Sequence, residues 1–228
     1  MKIRAIITGS TGMVGKGVLL ECLDHPDVES VLVINRNPLG MDHPKLKELI
    51  PVDFYDLSGY KEVLKGYNAC FFCLGISSAN VSAREYKRIT YDLTLHLAGI
   101  LSELNPGMCF NYVSGTGTSS TENSRMKWAN VKGKTENDLL ALPFRDSYMF
   151  RPGFIQPLRG IRSRTTLYRI MYIIFTPLYP LMKRLFPSFV TNTARVGKAM
   201  INSVLFGYEK KHLENRDINI LANRSDKV

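Results

Sequence analysis

Apolar positions along the chain fall into two alternating patterns. Short unbroken runs occur at residues 3–8 (IRAIIT), 30–35 (SVLVIN), 69–75 (ACFFCLG), 108–114 (MCFNYVS) and 147–153 (SYMFRPG) and predict buried strands. A shorter third strand is predicted through 49–54 (LIPVDF). Between them, apolar residues spaced three and four apart predict helices: Val14, Val18, Leu19 and Cys22, then 60–66, 91–104 and 128–142. Strands without polar alternation are covered on both faces, and strands separated by helices run parallel. The fold class predicted is therefore α/β, a doubly wound parallel sheet. Towards the C-terminus, 191–206 (TNTARVGKAMINSVLF) predicts a packing helix capped near Thr191 or Thr193, and 217–221 (DINIL) predicts the last strand.

With 228 residues, 45% of them hydrophobic, the chain is large enough for one core with a small appended lobe. The boundaries expected are 1–157 for the core, 158–190 for a basic, apolar lid or interface segment, and 191–228 for the return to the core. No run of 18 apolar residues is present, and the first apolar run is too short for a secretory signal, so a cytoplasmic location is expected. Cys70 and Cys73 form a C-x-x-C, but residues three apart on a strand face opposite sides, so no metal or dithiol site is expected.

Charge divides the chain unevenly. Residues 1–144 carry 15 basic and 15 acidic side chains, whereas 145–228 carry 15 basic and 5 acidic ones, which accounts for the whole net charge of +10. Within 158–190 an apolar stretch (LYRIMYIIF) is flanked by Arg159, Arg162, Arg164, Lys183 and Arg184. It reads as a helical lid, as a homodimer interface, or as a peripheral contact with an anionic membrane surface. No nucleic-acid partner is expected, because no nucleic-acid-binding motif is recognisable.

Between the first strand and first helix, TGSTGMVG spaces Gly9, Gly12 and Gly15 as G-x-x-G-x-x-G. At such a junction one glycine permits the tight turn, one lets the backbone approach a pyrophosphate, and one lets helix and sheet pack closely. The helix N-terminus then offers free N–H groups and partial positive charge to the phosphates. A dinucleotide is the ligand this spacing predicts. After the second strand come Asn35, Arg36 and Asn37, with no carboxylate for a ribose 2′-hydroxyl. Arg36 suits a 2′-phosphate and can stack on adenine, so the cofactor expected is NADP rather than NAD; the alternative is a solvated surface arginine.

The segments TGSTGMVG, VLVINRN, VDF, CFFCLG, NYVSG, KGKTE and FRPG, in this order across residues 1–157, resemble the atypical short-chain dehydrogenase/reductases. Within that NAD(P)-binding Rossmann family the resemblance is to the branch of the Tat-interacting tumour-suppressor oxidoreductase. It implies that Gly9, Ser10, Thr11, Gly12, Met13, Val14 and Gly15 form the dinucleotide turn, with Arg36 beside it. It implies further that Asp53 and Phe54 border the adenine and that Cys73, Leu74 and Gly75 line the ribose and pyrophosphate. Ser114 would lie near the nicotinamide and Phe154 would pass under it.

Lys132 would be the lysine of the family's Y-x-x-x-K pair, which binds the nicotinamide ribose and lowers the pKa of the tyrosine. The tyrosine place holds Trp128, the chain's only tryptophan. An indole N–H donates a hydrogen bond but is no proton donor near neutral pH. No other tyrosine lies within a turn of it, and the family's second serine falls at Gly115, leaving Ser114 or Thr116 for its role. The expectation is an NADP-binding oxidoreductase of unknown substrate with Lys132, Ser114 and Trp128 at its centre, its proton coming from water, Ser114 or the substrate. The alternatives are a non-catalytic NADP-binding regulator or scaffold, a Trp128 that only walls the substrate pocket, and a Trp128 packed in the core.

Overall fold

The computed structural model describes residues 1–79, 81–161 and 188–225. Strand β1 (Ile3–Thr8) leads into helix α1 (Met13–Asp24), followed by β2 (Val28–Ile34) and β3 (Leu46–Leu49). A short 3₁₀ turn and helix α2 (Lys61–Leu64) precede β4 (Ala69–Phe72). Helix α3 (Ala83–Lys87) runs through a π-helical turn (Arg88–Asp92) into α4 (Leu93–Leu104), and β5 (Cys109–Val113), α5 (Lys127–Leu140) and β6 (Asp146–Arg151) follow. The remaining elements are β7 (Phe154–Gln156), β8 (Val190–Asn192), α6 (Thr193–Phe206), β9 (His212–Glu214) and α7 (Asn215–Ala222).

Seven strands form one sheet in the order β3-β2-β1-β4-β5-β6-β9, and every pairing in it is parallel. Strand residues alternate between the two faces, and both faces are covered. Ile3, Ala5, Ile7, Val31, Val33, Phe71 and Phe150 pack with α1, α6 and α7. Their neighbours Ile6, Leu32, Ile34, Cys70, Phe72, Phe110 and Tyr112 pack with α2, α4 and α5. That is why the strands read as continuous apolar runs. β7 and β8 form a separate parallel pair. The chain order reverses direction between β1 and β4, so a crevice opens beyond their carboxyl ends, where open α/β sheets bind ligands.

Three expectations are corrected. The third strand lies at Leu46–Leu49, before most of 49–54. Pro51 has no N–H to extend a ladder, and Val52 is fully exposed, so the apolar letters there did not mark a core face. Residues 217–221 are helical. Glu214 and Asp217 form a reciprocal capping box, and Ile218, Leu221 and Ala222 bury one helix face. The last strand is His212–Glu214, too short to show a period. The cap of α6 is Asn192, whose side-chain oxygen accepts from the Arg195 N–H, rather than either threonine. The lid, interface and membrane readings of 158–190 fall mostly on 162–187, outside the described residues. No helix among the described residues is long and apolar enough to cross a membrane.

Helix α5 is pressed onto the loop that follows β5. The Ser119 N–H donates to the Ala129 carbonyl at 3.1 Å, and a Cβ placed on Gly133 would lie 1.7 Å from the Ser119 carbonyl oxygen. Gly133→Ala is expected to lower stability by about 1–3 kcal/mol through overpacking, outweighing the ~1 kcal/mol that alanine brings to a helix interior. Urea denaturation checks this; an unchanged or higher midpoint would show that the loop yields freely.

Candidate functional site: a nucleotide cleft and an adjoining cavity

The turn after β1 is folded tightly on itself. Gly9 has φ +68°, and a Cβ there would sit 2.7 Å from the Cys73–Leu74 peptide. A Cβ on Gly15 would come within 2.2 Å of the Gly9 carbonyl oxygen, which accepts the Gly12 N–H at 2.9 Å. The turn thus lies against the end of β4 with α1 directly behind it. No side chain caps the start of α1 and no acidic residue occupies its first turn, which leaves its partial positive charge for an anion.

A cleft of about 410 Å³ opens over this turn. It brings together Gly9, Thr11, Gly12, Met13, Val14, Arg36, Phe54, Cys73, Leu74, Gly75, Ser114 and Lys132 of the residues expected from sequence. Ser10 and Gly15 lie beneath the turn: Ser10 is buried, and its hydroxyl donates to Asn35 Oδ1 at 2.8 Å. Asp53 lies outside this cleft, in the wall of a neighbouring cavity of about 570 Å³ with Arg36, Tyr55 and Arg88, and accepts the Tyr55 N–H at 2.8 Å. Phe154 sits on β7, which leaves the main sheet after Pro152 and Gly153, and is absent from the cleft wall.

Trp128 and Lys132 share a second cavity of about 510 Å³ with Tyr86, Thr116, Pro152 and Gly153. Ile76, Ser77, Ser114 and Lys132 line both spaces, so the cavity continues the cleft. Trp128 is only half-buried, with its ring edge set against Gly117, which corrects the packed-core reading.

Behind the shared wall lies a buried ionic network. Glu136 is fully buried and accepts from Arg151 Nε at 3.0 and 3.2 Å, with a further bond from the guanidinium tip. The Ser114 hydroxyl donates to Glu136 Oε1 at 2.5 Å, and Arg151 also donates to the Ser120 hydroxyl. His212 Nε2 approaches the same carboxylate at 3.6 Å, and burial pulls its imidazole below the usual histidine range. The Thr116 hydroxyl donates to the Arg151 carbonyl at 3.1 Å. The Lys132 ammonium donates to the Ser114 carbonyl; loss of hydration brings it down to about 8, against the pull of Glu136 in the other direction.

Sequence reasoning missed four of these groups. Glu136 was within reach, since Trp128, Lys132 and Glu136 are spaced four apart and so share a helix face. Asn35 appeared only as a missing carboxylate. Nothing in the linear order joined Tyr86 or Arg151 to the site.

Arg151→Met would leave the Glu136 charge buried without its main partner and is expected to cost about 3–5 kcal/mol. Adding Glu136→Leu should recover a large part of that loss; a double variant as unstable as the single one would contradict it. Folded Lys132 loses its proton more readily than the unfolded side chain does, so its charged form disfavours the folded state. The stability difference between wild type and Lys132→Met should therefore shift in favour of wild type as pH rises from about 8, and a flat difference would contradict the geometry.

No family model matches the chain. Among curated proteins, the mitochondrial FMP52 of Debaryomyces hansenii is 31% identical over 155 residues, 65% of each chain. HTATIP2 of Rattus norvegicus is 29% identical over 153 residues, 65% of this chain and 61% of that protein. The chain thus spans just under two thirds of the length of these relatives. Among solved structures, a short-chain dehydrogenase of Burkholderia cenocepacia in complex with NADP superposes with a TM-score of 0.63 at 14% identity, covering 92% of this chain and 87% of that one. The Bordetella bronchiseptica enzyme WbmF in complex with NAD+ superposes with a TM-score of 0.66 at 13% identity, covering 97% and 78%. The chain is similar in sequence to FMP52 and HTATIP2, and it shares the Rossmann fold of the short-chain dehydrogenase/reductases.

Proposed function

We propose that the cleft binds NADP and that the chain is an NADP-dependent oxidoreductase acting on a carbonyl compound in the adjoining cavity. One observation carries the cofactor reading. Asn35, only 4% exposed at the end of β2, has an amide nitrogen buried without a hydrogen-bond partner among the described residues. Ser10 occupies its oxygen, so the unpartnered group of this cleft-lining side chain is a donor. A carboxylate here would require a donor from the ligand and would repel a phosphate. An amide N–H beside the Arg36 guanidinium instead suits an acceptor-rich 2′-phosphate.

In this reading the amides of Met13 and Val14, in the uncapped first turn of α1, take the diphosphate. Leu74, Gly75 and Phe54 flank the adenosine, and Lys132 reaches the nicotinamide ribose. Bound in reduced form, the nicotinamide supplies a hydride. Glu136 fixes the Ser114 hydroxyl and Arg151, so Ser114 is a positioning residue rather than a source of protons. Trp128 shapes the cavity but cannot replace the acid of a tyrosine. That same substitution favours a second reading, a regulator that binds NADP without turnover.

NADPH is expected to bind more tightly than NADH. Arg36→Ala should weaken NADPH about 10- to 100-fold, the range for a charge-assisted hydrogen bond, and leave NADH nearly unaffected. Calorimetric titration checks this; equal affinities for the two coenzymes would refute the specificity. Trp128→Tyr should raise reduction of simple carbonyls over wild type, by up to about 10²–10⁴-fold for a restored general acid. Brisk wild-type reduction of such carbonyls that survives loss of Lys132 would refute the assigned roles.

A further inference from the structure

Resting on the reading of the cleft as a nicotinamide site, we propose that the cavity walled by Trp128 and Tyr86 takes a planar conjugated carbonyl of the quinone class, and that Lys132 protonates its reduced oxygen. The protic groups of the wall leave two choices of acid, Lys132 and the buried phenol of Tyr86. Ser114 donates its only hydroxyl hydrogen to Glu136, and Thr116 donates its own to the Arg151 carbonyl. Ser77 and Ser78 are ordinary alcohols, and the indole N–H is no acid. Lys132 lines both cleft and cavity and has three N–H donors, one of them bonded to the Ser114 carbonyl.

With Trp128 at the place of the family's tyrosine, a weaker acid limits which substrates can react. Hydride addition to a saturated ketone leaves an alkoxide, whose conjugate acid is about as weak as water itself. Hydride addition to a quinone leaves a phenolate, whose conjugate acid lies near ~10. The second anion is easier to form by on the order of 10⁵, so an acid as weak as an ammonium is enough to assist it. The balance closes: a quinone plus a hydride gives the hydroquinone monoanion, the Lys132 ammonium gives it a proton, and the neutral amine recovers one from water. An ammonium brought down to about 8 protonates such a phenolate downhill. The aromatic walls favour a flat partner, and 510 Å³ lies within the ~300–1,000 Å³ of small-molecule pockets. The titratable groups around Lys132 are Glu136 on its own helix, Tyr86 of α3 and Cys73 beyond β4, with Arg151 and His212 behind Glu136.

The test uses the full chain with 9,10-phenanthrenequinone and cyclohexanone as probes. Because Trp128 is the only tryptophan, its fluorescence reports occupancy of the cavity without turnover. In the presence of NADP+, the quinone should quench it saturably. NADPH should be oxidised at least ~100-fold faster by the quinone than by cyclohexanone, with a rate that falls as pH rises past about 8. Lys132→Met should lose most of the quinone rate and that pH limb. Absence of saturable quenching, equal rates for the two probes, or no quinone turnover overturns the proposal. So does a rate that survives Lys132→Met but is lost in Tyr86→Phe, which would make Tyr86 the acid. NADPH binding followed by equilibrium dialysis separates the two levels: retained binding in any of these cases leaves the cleft reading standing, and lost binding removes both.

Discussion

A carboxylate cannot remain charged inside a protein without partners, and Glu136 gathers several elements of the site around one such charge. Arg151 reaches it from the end of β6, Ser114 from the end of β5, and His212 from β9, while α5 carries the carboxylate itself. Because breaking a buried pair is far more costly than its net contribution to stability, these groups hold together or fail together. Lys132 stands one turn before Glu136 on the same helix and donates to the Ser114 backbone, so the position of its ammonium is set by this network. The ion pair is therefore better understood as a fixture for the site than as a source of stability.

The glycine turn works by a different constraint, close approach. The backbone at Gly9 meets the end of β4 at a distance no side chain would allow, and α1 rests on the same carbonyl through Gly15. The reversal of strand order places both ends at one crevice, which continues past Lys132 into the cavity of Trp128. The cleft and the adjoining cavity thus share Ser114 and Lys132 as a common wall. A group transferred between two bound molecules needs that arrangement.

Much of this was legible in the sequence because it depends on local pattern. Buried parallel strands announce themselves as unbroken apolar runs, and the glycine spacing states where the backbone must come close. Residues 217–221 misled for an equally local reason: Asp217-Ile218-Asn219-Ile220-Leu221 alternates like a strand, whereas the capping box with Glu214 and the burial of Ile218, Leu221 and Ala222 make it a helix. Val52 and Phe54 looked like strand residues, yet Pro51 had already ended the ladder. The partners of Glu136 and the place of Tyr86 are products of tertiary folding, 15 to 76 residues away in the chain, and no periodicity encodes them. Asn35 was visible as a letter, but its meaning lies in an amide nitrogen that only packing leaves without a partner.

The central claim, that this turn and the end of β2 hold NADP, is tested most directly by a crystal structure of the chain grown with that coenzyme. The account predicts the diphosphate against the amides of Met13 and Val14, and the 2′-phosphate within hydrogen-bonding distance of Asn35 Nδ2 and the Arg36 guanidinium. A turn left empty at saturating NADP, or a ligand whose adenosine end lies away from both residues, would contradict it.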